Sequence, residues 1–112
     1  MTIISDEYMR ESLQKTRNYS VVILKYGPNI KMPGVEKIIW EHARRNFSLR
    51  EDGISSVVCP ISDGSGVSGL GIFKGGVDEV AKVMEEDPGV KAGVFVYELH
   101  ECRSFPGDML PK

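Results

Sequence analysis

Residues 54–101, ISSVVCPISDGSGVSGLGIFKGGVDEVAKVMEEDPGVKAGVFVYELHE, decide the fold, because the hydrophobic period changes twice along them. Ile54 to Pro60 and Gly69 to Lys74 are short β-rich runs flanking the Gly-rich turn Ile61 to Ser68, which predicts a hairpin. From Val77 to Glu86 the period becomes helical, with Val77, Val80, Ala81 and Met84 on one face. Ala92-Gly93 ends a short turn after Asp87, and Val94 to Glu101 returns to strand. The stretch reads β-β-α-β.

Upstream, Tyr19 to Tyr26 (YSVVILKY) is apolar on both faces, as a central strand is, and Gly27-Pro28-Asn29 breaks it. Between Gly34 and Asp52, Val35, Ile38, Ile39, His42, Asn46 and Leu49 share one helical stripe, and Gly53 supplies the stop. Ser5 followed by Asp6 and Glu7 caps a further helix reaching about Arg17, with Met9 and Leu13 on one side. The order is one helix and then β-α-β-β-α-β. That predicts an α+β, ferredoxin-like sandwich with an extra N-terminal helix and both main helices on one sheet face. Residues 1–18 form the helical extension, 19–104 the ferredoxin-like domain and 105–112 an irregular tail.

The other sheet face then needs a cover. Val21 and Ile23 oppose Val22 and Leu24 on the first strand, and Val94 and Val96 oppose Phe95, Tyr97 and Leu99 on the last. Burial of that face predicts a homodimer closed into a dimeric α/β barrel.

Fourteen Lys plus Arg stand against sixteen Asp plus Glu, with no basic run longer than Arg44-Arg45, so the electrostatic footprint of a nucleic-acid or anionic-membrane binder is missing. A small organic partner fits better. No basic leader and no long apolar run is present, which predicts a cytoplasmic chain. Cys59 and Cys102 are too few for a disulfide framework or a metal site, and His42 and His100 lack metal-ligand spacing, so neither metal nor cofactor is expected. In the usual strand order the second and fourth strands are the edges, about three spacings of ~4.8 Å apart, which excludes a Cys59–Cys102 disulfide.

Gly64-Ser65-Gly66-Val67-Ser68-Gly69 matches the dinucleotide string G-x-G-x-x-G, but it leads into strand rather than into the helix that would hold a pyrophosphate. RNA-binding domains of this topology need basic and stacking aromatic residues on the first and third strands, and copper chaperones need Cys-x-x-Cys after the first. Neither is here. What stands out is His42 on an apolar helix stripe and Asp87 at the end of the second. An imidazole, with its ordinary pKa of ~6.5, exchanges protons at neutral pH. The plainer alternatives are a hydrogen-bonded core histidine and, for Asp87-Pro88, an N-cap before the first residue of a turn. With the two helices level, Asp87 lies ~7.5 Å further along the axis than His42 at 1.5 Å per residue. Direct contact is not expected unless the helices are offset, and a water or substrate would bridge the pair.

Glu41-His42, the strand end Val57-Val58-Cys59-Pro60, Asp63-Gly64, and above all Glu86-Asp87-Pro88-Gly89-Val90-Lys91-Ala92-Gly93-Val94 followed by Tyr97-Glu98-Leu99 resemble the YCII-like family over Tyr19 to Glu101. The resemblance implies a dimeric α/β barrel and a catalytic His–Asp dyad falling on His42 and Asp87. Most members have no established reaction, and one acts as a dehydrochlorinase on chlorinated hydroxyquinols. The chain departs from the family in carrying Cys59 where glycine is usual, and in its N-terminal helix. Cys59, Ser62, Asp63 and Tyr97 are the further candidates for a pocket. The expected activity is cofactor-independent proton transfer, by elimination or isomerisation, with His42 as acid or base. The alternative is a non-catalytic ligand-binding or accessory dimeric module.

Overall fold

A computed structural model describes residues 1–112 as four helices and one four-stranded antiparallel sheet. The elements are α1 (Asp6–Gln14), β1 (Arg17–Tyr26), α2 (Val35–Glu51), β2 (Ser55–Pro60), β3 (Val67–Lys74), α3 (Val77–Glu85), α4 (Pro88–Lys91) and β4 (Phe95–Ser104). The strand order β2-β3-β1-β4 leaves β2 and β4 as edges, an α+β arrangement compatible with the ferredoxin-like fold. Cys59 and Cys102 sit on those opposite edges as free thiols. No helix is long and apolar enough to cross a membrane.

The first two fingerprint-like glycines, Gly64 and Gly66, lie in the β2–β3 hairpin loop, and the third, Gly69, is in β3. Gly64 and Gly66 take left-handed φ of 79° and 88°, which side chains rarely adopt, and β3 follows with Pro60 opposite Gly69. Pairing also moves the predicted ends. Arg17 bonds in register with Ser104, so the β1–β4 ladder claims residues expected to be helix at one end and tail at the other. α1 accordingly stops at Gln14, and β4 runs three residues past Glu101.

Val22 and Leu24 of β1 and Phe73 of β3 point at the helices, where they meet Leu49, Val80, Met84, Val94 and Phe95 in one buried cluster. Burying each such side chain stabilises the fold by ~1.5–3 kcal/mol. The opposite face carries Val21, Ile23, Leu70 and Ile72, all only partly covered. Of the two β4 residues expected on that face, Val96 lies there, paired with Lys25, and Val94 does not. Val94 precedes the strand, donates its N–H to the Gly89 carbonyl at 2.9 Å and is fully buried in the core cluster, while Glu98 and His100 occupy the open face with Lys25. Lys25 and His100 both pair with Glu98.

α1 buries no residue. Ser5 caps it by accepting from the Tyr8 amide at 3.0 Å, and Tyr8, Met9 and Leu13 line a shallow cleft with Phe105 and Pro106 of the tail.

Candidate functional site

α3 ends at Glu85, and Asp87 then takes an extended conformation (φ −69°, ψ 132°) before Pro88 opens α4. The Asp87 carboxylate caps that helix, its Oδ2 accepting from the Gly89 amide at 2.9 Å and the Val90 amide at 3.1 Å. Gly89 is required here, since a Cβ would strike the Phe95 ring and the Asp87 carboxylate. The turn is tied to the end of β1. Gly27 donates to the Val94 carbonyl at 2.7 Å and Asn29 Nδ2 to the Ala92 carbonyl at 2.8 Å, and a Cβ on Gly27 would overlap the Gly93 carbonyl.

His42 is 8% exposed and Asp87 1%. They touch. His42 Nδ1 lies 2.9 Å from both Asp87 oxygens, which corrects the expectation of a separated pair. That expectation followed the axis of α3 as far as Asp87, whereas the chain leaves that axis after Glu85 and α4 packs against α2, swinging the carboxylate back to His42.

A carboxylate only accepts, so Nδ1 carries the proton and Nε2 the lone pair. Asn46, one turn further along α2, sets Nδ2 3.2 Å from Nε2 and donates to it. Phe95 packs against the imidazole at 4.6 Å between ring centroids, tilted by 44°. Behind the carboxylate, Arg45 donates to the Val83 carbonyl at 2.7 Å and brings Nη1 within 3.7 Å of Asp87 Oδ1. Burial alone would push the Asp87 carboxyl up. The hydrogen bond from His42, the positive charge its ring carries when protonated, and the amides of Val90 and Gly89 together outweigh burial and hold the carboxyl below its ordinary value.

His42 and Asn46 face a cavity of about 250 Å³ between α2 and the sheet. Its walls include Leu24, Ile39, Phe47, Val58, Phe73, Met84 and Phe95, and Cys59 and Pro60 line it where β2 is exposed. The space exists because two successive helix-facing positions of β3 are Gly69 and Gly71, which leave backbone where side chains would stand. Above Gly71 the Phe73 ring leans in, so close that a Cβ there would displace it.

The other expected pocket residues lie elsewhere. Ser62 and Asp63 sit exposed in the hairpin loop outside the cavity, where Asp63 Oδ1 accepts from the Ser65 amide at 3.0 Å. Tyr97 shares the helix-side face with Phe95, yet its hydroxyl turns away to donate to Glu85 Oε1 at 2.6 Å. Burial, then the bond to and the charge of Glu85, push the Tyr97 phenol up to about 12. No three His, Cys, Asp or Glu side chains converge where they would hold a metal ion. Against known proteins, no family model and no curated sequence matches this chain.

Proposed function

We propose that the chain is a YCII-like enzyme that moves protons on a small molecule without a cofactor, by elimination or isomerisation. The observation that carries this reading is the buried pair itself, with Nδ1–H of His42 on Asp87 and Nε2 turned to an apolar cavity. In such a site the lone pair on Nε2 takes a proton from carbon or oxygen. The imidazolium that forms stays paired with an ionised Asp87, which is a positioning residue because its oxygens are occupied by His42, Gly89 and Val90. Water exclusion by Phe95 and Leu24 strengthens both interactions.

The assembly in this reading is a homodimer joined through the open sheet face, closing a dimeric α/β barrel over Val21, Ile23, Leu70 and Ile72. Soluble monomers rarely leave such a contiguous patch bare. Sedimentation of the 12.4 kDa chain should then report about twice its mass, and Ile72→Lys should return it to a monomer.

A second reading, a ligand-binding or accessory module, is favoured by one feature. Every hydrogen-bonding atom of the pair is already occupied within the protein, so the pair is also a self-sufficient structural element. Chloride release from a chlorinated hydroxyquinol discriminates the two. The enzyme reading expects turnover that His42→Ala lowers by about 10²–10⁴-fold. Binding without turnover, or turnover indifferent to His42→Ala, would leave the accessory module standing.

A further inference from the structure

We infer that Asn46 is the group that holds the substrate's oxygen, and that the substrate is an uncharged carbonyl compound with an acidic C–H beside the carbonyl. The inference rests on the proton-transfer reading above and names its substrate class.

The first argument concerns charge. Of the cavity-lining residues, none is Lys, Arg, Asp or Glu, and Arg45 is turned away to the Val83 carbonyl and Asp87. A phosphate or carboxylate entering there would lose its hydration with no counter-ion, a cost of several kcal/mol. The cavity is only about 250 Å³ and its walls are mostly apolar. The occupant is small, neutral and mostly apolar.

The second argument concerns geometry. Asn46 Nδ2 and His42 Nε2 are 3.2 Å apart and both face the cavity, one a donor with a second N–H to spare, the other a base. In a carbonyl compound the oxygen and the adjacent carbon are ~2.4 Å apart, from bond lengths of 1.23 and 1.52 Å. One molecule therefore spans the pair, its oxygen on the Asn46 N–H and its C–H on Nε2. Binding displaces the Asn46 bond to Nε2 and frees the lone pair. The C–H bond breaks, the proton passes to Nε2, and the electron pair moves onto the carbonyl oxygen as an enolate. Asn46 donates to that oxygen while its charge develops. Return of the proton to a different carbon is isomerisation, and return of a solvent deuteron to the same carbon is exchange.

The test uses the full chain with 2-indanone in D2O, following loss of the α-proton signal by NMR. Asn46→Leu keeps the volume and removes the donor. Wild type should exchange the probe, and Asn46→Leu should bind it within a few-fold while exchange falls by about 10²–10³. Its urea midpoint and the Nδ1–H tautomer of His42, which Asp87 sets, should persist. Exchange that needs His42 and is unchanged in Asn46→Leu overturns the role of Asn46 and leaves the proton-transfer reading intact. Exchange unchanged in His42→Ala removes both. Failure of 2-indanone to bind, or binding that shifts the His42 ring resonances without exchange, overturns the carbonyl class alone.

Discussion

Replacing Asp87 separates its two duties, because alanine removes both and asparagine removes one. Asp87→Ala deletes the cap of α4, about 1 kcal/mol, since the Gly89 and Val90 amides lose their acceptor. It also leaves the buried Nδ1–H of His42 without a partner, about a further 1–3 kcal/mol. The sum, roughly 2–4 kcal/mol, is a large part of the 5–15 kcal/mol typical of a domain. Asp87→Asn should cost about 1 kcal/mol, because asparagine caps as well as aspartate. Its amide N–H, however, now faces Nδ1 and drives the proton to Nε2, so the base is lost and a rate that depends on it falls by about 10⁴. Urea unfolding at constant m-value measures the first effect, and long-range ¹⁵N–¹H correlation of the imidazole reads the tautomer. An Asp87→Asn protein that keeps its proton on Nδ1, or an Asp87→Ala protein as stable as wild type, would refute the reasoning.

Acid provides a second view of the same carboxylate. Its folded pKa is depressed, so its contribution is complete above the unfolded value of ~3.9 and is lost as pH falls through the folded one; melting curves from pH 6 to 2 should show the gap between wild type and Asp87→Ala closing at the acid end. Gly71→Val should fill the cavity, displace the Phe73 ring and abolish ligand binding, at a stability cost of about 1–3 kcal/mol, and a variant that still binds 2-indanone would mean the ligand sits elsewhere. Tyr97→Phe should leave turnover unchanged, since that hydroxyl faces Glu85. In alkaline absorbance titration it should remove the phenol that ionises near pH 12.

The two residues of the pair were visible in the sequence because an ionisable group on an apolar stripe is conspicuous. His42 shares a face with Ile38, Ile39 and Leu49, and Asp87-Pro88 is an N-cap signature that the chain does use. Their contact was not visible. It depends on one extended residue after α3, and straight-axis arithmetic across that bend gives the wrong separation. Asn46 belonged to the stripe, but a neutral amide carries no mark of a partner until the ring beside it is oriented. Arg45 gave no signal at all, since a charged residue on a helix ordinarily lies in solvent. The cavity has no sequence signature for a different reason: Gly69 and Gly71 read as turn and strand, and a void is made by side chains that are not there. The strand order followed from β-α-β-β-α-β connectivity, whereas the β1–β4 ladder that extends to Arg17 and Ser104 depended on pairing between distant segments.

The N-terminal helix has a consequence for measurement. Nine residues are too few to persist as an isolated helix in water, and α1 contributes no buried side chain to stabilise it from outside. Its amides therefore belong at the bottom of the protection scale, opening without any change in the sheet. Whatever closes over Tyr8, Met9 and Leu13 must slow their hydrogen exchange, so α1 serves as a built-in gauge of occupancy. Protection that rises with protein concentration alone identifies a second copy as the cover, and protection that rises only on adding another molecule identifies that molecule.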